Sequence, residues 1–148
     1  MGNRFRFRAW DKADKVMCDV AYIKFSKVQY MNVGYRKNIH GKIIDVNALL
    51  DENLFGTCVL MQYTNVTDDN GVLVFEGDYL SDGRTIWRVE YDQTMSGFCA
   101  KAVGGYIPSD CKIFSLYHLC TGHNEKRRIS VVGNMYEYTG ALSELLMC

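Results

Sequence analysis

Proline is nearly absent from this chain. One, Pro108, stands among 148 residues, which excludes proline-rich linkers and leaves strand interiors without the residue that breaks their ladders. A net charge of either sign is also missing. Seventeen Lys and Arg offset seventeen Asp and Glu, so no global field draws the protein to nucleic acid or to an anionic membrane. Histidine is scarce, with only His40, His118 and His123, and no nucleophile-elbow or other local motif recruits one as a general base. No apolar run reaches the length of a membrane span. The opening "MGNRFRFRAW" is charged and alternating, without the apolar stretch of a secretory signal. The expectation is therefore no membrane, a reducing cytoplasm as the location, and six cysteines (Cys18, Cys58, Cys99, Cys111, Cys120, Cys148) that act mostly as small buried hydrophobes.

What is present points to strands. Ten Tyr, seven Phe and two Trp within a 48% hydrophobic composition suit half-buried pleated surfaces. The length fits one domain over residues 1–148, with an N-terminal hairpin subregion at about 1–50 and a core at about 58–138. Charge is unevenly spread along it. Residues 1–50 hold ten Lys/Arg against four Asp/Glu, and residues 51–110 hold three against ten. The basic and acidic segments either pair with each other or offer a basic face to a partner.

Alternation places a strand over residues 4–10, with Phe5, Phe7 and Ala9 on one face and Arg4, Arg6, Arg8 and Trp10 on the other. A charged turn at 11–15 and a second strand from Val16 complete a hairpin. Residues 39–46 read as a short strand and 47–57 as a loop or helical turn. "CVLMQYT" and "VLVFEG" then form a hairpin across Asp68-Asp69-Asn70-Gly71, whose Asn-Gly accepts the positive φ of a tight connection. Strands at 84–92 and 97–103 follow, with Gly104-Gly105 as a turn. Residues 109–120 read as a short helix and 127–137 as a strand entering a turn. Residues 140–147 form a helix with Leu142, Leu145 and Leu146 inward. The fold class is mainly β, a small barrel or sandwich with minor helical additions.

Chemistry finds few footholds. Cys111, His118, Cys120 and His123 are ligand types within thirteen residues, but their spacing matches no zinc motif, so neither metal nor cofactor is expected. Glu76 and Asp78, with Tyr63 nearby, could line a carboxylate cleft. Against that, Gly77 between them suggests a bulge or bend, across which Asp78 would accept backbone N–H bonds. Arg4, Arg6, Arg8 and Trp10 place guanidinium groups beside an aromatic ring, a face able to grip phosphates and stack bases.

Three segments together, residues 5–17, 60–80 and 131–146, resemble the YopX-like family of phage and prophage proteins. Phe7-Arg8-Ala9-Trp10-Asp11 matches its opening motif. Gln62-Tyr63-Thr64, Asp68-Asp69-Asn70-Gly71 and Glu76-Gly77-Asp78 match its central run, and Gly133-Asn134-Met135-Tyr136-Glu137 its close. Asn65 stands where the family usually has glycine. The resemblance implies a fold containing an SH3-like β-barrel and carries no catalytic assignment. The expected function is that of a small accessory binding protein, not an enzyme. Its partner classes are nucleic acid, a host or phage protein, and a second copy of itself; the alternative is an enzyme built on Glu76 and Asp78.

Overall fold

The computed structural model describes residues 5–26, 30–50, 56–107, 109, 113–121, 128–137 and 140–147, without the side chains at 140, 141, 145 and 147. Arg4, Cys111, His123 and Cys148 lie outside the described residues, as does the inward placement of Leu145. The elements in chain order are β1 (Phe7–Asp11), β2 (Val16–Phe25), β3 (Met31–Ile39), β4 (Lys42–Leu50), β5 (Cys58–Thr67), β6 (Leu73–Phe75), β7 (Asp78–Ser81), β8 (Thr85–Asp92), β9 (Gly97–Gly105), β10 (Ile113–Ser115), α1 (Leu116–Thr121), β11 (Ser130–Asn134) and α2 (Gly140–Met147). The protein is mainly β, with two antiparallel sheets ordered β4-β3-β2-β1-β5-β6 and β10-β9-β8-β7-β11. Among the described residues neither sheet closes on itself. The pairing therefore does not establish the SH3-like barrel that the resemblance implies.

The chain divides into two compact units, Phe5–Gln62 and Tyr63–Cys148. In the N-terminal unit, alternation along each strand sends one set of side chains to a shared face. Ala9, Cys18, Val33, Tyr35, Ala48, Leu50 and Cys58 are buried there, with Val16, Val20, Met31, Val46 and Leu60 packed against them. β3 and β4 pair over their full length, from Met31 opposite Leu50 to Ile39 opposite Lys42. His40 and Gly41 turn the corner at φ 51° and 83°, the backbone that two-residue hairpin loops require. The Asn38 side chain accepts the Gly41 amide at 2.9 Å. The strand expected over 39–46 is strand at 39 and 42–46, broken by the corner at 40–41, and residues 47–50, expected as loop, extend β4. β1 also starts later than the alternation suggests. Phe5 is 70% exposed and Trp10 is 8% exposed, so the expected division of faces does not hold at either residue.

In the C-terminal unit, Val74, Leu80, Trp87, Val89, Ala100, Ala102, Leu116 and Ile129 make the core, with Phe114 packed against it. Trp87 meets Phe114 edge-on at 5.2 Å between ring centroids, and burying each ring contributes about 1.5–3 kcal/mol. A smaller cluster of Tyr79, Ile86 and Leu142 seats α2, with Leu146 packed against it. Gly104 and Gly105 do not form a turn but end β9. Gly105 sits at φ 67°, and a Cβ there would lie 2.2 Å from the Arg84 carbonyl oxygen. Of the helix expected over 109–120, residues 110–112 lie outside the described residues, 113–115 form β10 and 116–120 belong to α1.

Candidate functional site

The central and closing motifs meet at one corner of the C-terminal unit. After β5, the Asp68 carboxylate folds back on its own turn: Oδ1 accepts the Asn70 amide at 2.9 Å and the Val72 amide at 2.8 Å. Gly71, at φ 80°, closes the turn by donating its amide to the Asp68 carbonyl at 3.0 Å. The other carboxylate oxygen, Oδ2, accepts the Val131 amide at 2.9 Å. Beside it, Asp69 Oδ2 accepts the Ile129 amide at 2.6 Å, and the Asp69 amide donates to the Ile129 carbonyl at 3.1 Å. Two side chains from a hairpin turn thereby act as the neighbouring strand that β11 lacks on this side among the described residues.

Glu76-Gly77-Asp78 forms the next corner, between β6 and β7. Gly77, at φ 85°, allows the reversal, and Asp78 Oδ2 accepts the Phe75 amide across it at 2.8 Å. Asp78 is 1% exposed. The closing motif docks on this corner: Asn134 pairs with Asp78, and the Met135 amide donates to the Gly77 carbonyl at 2.9 Å. Asn134 Oδ1 in turn accepts the amides of Tyr136 and Glu137 at 2.9 and 2.8 Å, and Gly133 lies at an irregularity in the β7–β11 register. Burial, and after it the charge of Glu76, pushes the Tyr136 phenol above its ordinary pKa. Tyr63 is half-buried, its ring tilted against Phe75 at 5.6 Å, while Gln62 pairs with Phe7 at the end of β5's contact with β1. Asn65 sits at φ 66°. A left-handed backbone at that position accounts for a glycine there, and asparagine is among the side chains that tolerate it.

The arginine face divides differently. Among its described members Arg6 is exposed, while Arg8 is half-buried with Nη2 3.7 Å from Met61 Sδ. Trp10, buried in β1, presents no open ring face for a base to stack on.

The N-terminal unit holds a polar cluster of which only the two carboxylates, Asp11 and Asp14, fall in the turn expected at 11–15. Asp11 ends β1 and is 2% exposed. It accepts the Tyr35 hydroxyl at 2.7 Å, the Lys37 ammonium at 3.2 Å and the Asp14 amide at 2.9 Å. Lys37 also pairs with the Asp14 carboxylate. Burial alone would raise the Asp11 pKa, but the bonds from the Asp14 amide, Tyr35 and Lys37 together hold it below its ordinary value. Burial, and after it Asp11, pushes the Tyr35 phenol well up. The signal that could have found this cluster is the spacing Val33-Tyr35-Lys37, a strand face ending in a cation that needs a buried anion. Thiol chemistry is disfavoured nearby: burial pushes Cys58 up to about 11, and the same cause does so for Cys120 in the other unit.

On the opposite face of β2–β4 lies an open groove of about 590 Å³, lined by Asp19, Tyr22, Gly34, Arg36, Asp45 and Asn47. A Cβ on Gly34 would lie 2.1 Å from the Tyr22 ring, so the ring rests directly on bare backbone. Arg36 and Asp45 form an exposed ion pair at 2.8 Å across the groove.

The profile of the YopX protein family matches residues 6–143. The chain belongs to the YopX protein family. The match spans both units and every motif described above. Among solved structures, this YopX family member is similar to the "Crystal structure of protein EF1440 from Enterococcus faecalis". The two share 21% identity over 89% of this chain and 93% of that one, with a TM-score of 0.54; at that identity the likeness speaks for the fold. Comparison with curated proteins finds no match. No helix among the described residues is long and apolar enough to cross a membrane.

Proposed function

We propose that this YopX family member is a phage- or prophage-encoded accessory protein of the bacterial cytoplasm that works by binding a host or phage protein, not by catalysis. The observation that carries this reading is the division of labour between motif and surface. Asp68, Asp69, Asp78 and Asn134 spend their side-chain oxygens on backbone amides of the fold, a poor arrangement for a general acid or base, which needs an oxygen turned to substrate. The outer face of the N-terminal unit instead exposes Tyr22, which lines the Gly34 groove, and Ile43 and Leu49 of β4, each about half accessible. Apolar and aromatic side chains grouped on a polar-rimmed sheet face suit a protein partner. The C-terminal unit, whose five-stranded antiparallel sheet carries the Trp87 core, serves as the scaffold, which we read as an open relative of the SH3-like barrel.

Buried Trp10 and half-buried Arg8 make nucleic acid the weaker partner class. A photo-crosslinking residue placed at Tyr22 or Ile43, with Glu137 as the control position, tests the reading in host cells. A discrete protein adduct from the first two positions alone is expected. Equal adducts from all three would overturn the surface assignment. Salt-steep binding of labelled DNA or RNA, lost in Arg6→Glu and Arg8→Glu, would replace the protein partner with nucleic acid.

A further inference from the structure

The two units treat their sheet edges in opposite ways. In the C-terminal unit, β10 is only three residues long, and β11 is covered on its open side by the Asp68 and Asp69 side chains. Short edge strands and covered edges are the usual defences against strand addition. In the N-terminal unit, β4 is nine residues long, and among the described residues it pairs with β3 alone. Its sequence, "KIIDVNALL", carries no proline, and the one charge at an inward-face position, Lys42, stands exposed at the strand end. Its outer-face residues Ile43 and Leu49 are 55% and 53% exposed.

We infer that β4 is a homodimer edge: two copies join antiparallel about a two-fold axis at Val46, making one continuous sheet from two N-terminal units. The argument is one of register. Residues opposite each other in an antiparallel pair must share a face, so only registers with an even residue sum keep both sheets continuous. Centring on Val46 sets Ile43 opposite the partner's Leu49, Asp45 opposite the partner's Asn47, and Ile44 opposite the partner's Ala48. All nine residues pair, the exposed apolar side chains meet each other, no like charges face, and the one charge on the inner face, exposed Lys42, falls at the strand end opposite the partner's Leu50. A shift of the centre to Asp45 sets that carboxylate against its own copy, which is unfavourable. A shift to Asn47 pairs only residues 44–50 within β4 and sets Asp45 opposite Leu49. A closed two-fold contact needs a self-complementary patch, and the Val46-centred strand supplies one. A single strand pair covers little area, so the dimer is a reversible one of the weak class.

This inference does not rest on the binding reading, because the purified full-length protein tests it without any partner. Sedimentation equilibrium across the micromolar range should show a monomer–dimer exchange. Asn47→Asp puts a carboxylate opposite the partner's Asp45 twice over and should weaken the dimer about tenfold. Asn47→Lys puts an ammonium there and should tighten it. Residue 47 is exposed, so both variants should keep the wild-type circular dichroism and melting profile. A protein that stays monomeric throughout the range overturns the inference. A dimer that the two variants change in the same direction, or not at all, overturns it as well.

Discussion

The C-terminal unit uses Asp68 and Asp69 to close a strand edge, whereas the N-terminal unit uses Asp11 within its interior. Asp68 and Asp69 reach about sixty residues along the chain to bond the amides of Ile129 and Val131. Asp11 and Asp14 instead neutralise Lys37, a cation on the buried face of β3. The first use leaves a strand edge unable to accept another chain. The second leaves the neighbouring edge strand, β4, and the outer face around Tyr22 open. Carboxylates dense in a motif can thus serve the fold, as Asp68, Asp69 and Asp78 do, while the surface we propose for a partner lies in a segment with no conspicuous motif.

Substitutions can break this comparison, and the largest effect belongs to Asp68. It is buried and accepts three amides, so Asp68→Ala strands three donors and should cost about 3 kcal/mol or more of unfolding free energy, measured by chemical denaturation. An unchanged denaturation midpoint would mean that the edge closure contributes nothing. Asp78→Ala, which removes the bond across the Gly77 corner, should cost about 1–3 kcal/mol and lower the melting temperature by several degrees. In the N-terminal unit, Tyr35→Phe removes one of three donors to Asp11 and should cost about 1–2 kcal/mol.

Acid provides a further contrast. The Asp11 carboxyl is held below its ordinary 3.8 in the folded protein, so its contribution is complete above that value. It is lost as pH falls through the lower, folded pKa. Asp11→Asn should therefore flatten the acid limb of the stability curve, and a limb as steep as the wild type's would count against the cluster. The smallest effect is expected at Gly34→Ala. The added methyl displaces the half-exposed Tyr22 ring, which can swing into solvent, so stability should fall by less than about 1 kcal/mol. Crosslinking from position 43, on the same outer face, should nonetheless weaken, because that face has lost its seated aromatic ring. Unaltered adducts would separate the groove from partner binding.

Much of the fold is legible in the sequence because its signals are local. Asn70-Gly71 announces a tight hairpin, Gly77 announces a corner, and the apolar face of residues 140–147 announces α2. β3 escapes because Lys37 occupies an inward position where alternation calls for an apolar residue, and only the fold supplies its counter-ions, Asp11 and Asp14. Trp10 misleads for the same reason, since alternation assigns it to the outer face and the structure buries it. The Asp68–Val131 and Asp69–Ile129 bonds were out of reach of a local reading. Nothing within a turn says which distant strand its carboxylates will close.

Hydrogen–deuterium exchange of the native protein, followed by amide across a concentration series, tests the contrast between edges most directly. The account predicts that the Ile129 and Val131 amides are protected at every concentration, while the amides of β4 that point away from β3 exchange quickly when dilute and slow as the protein is concentrated. Fast exchange at Ile129 and Val131, or β4 protection that ignores concentration, would contradict it.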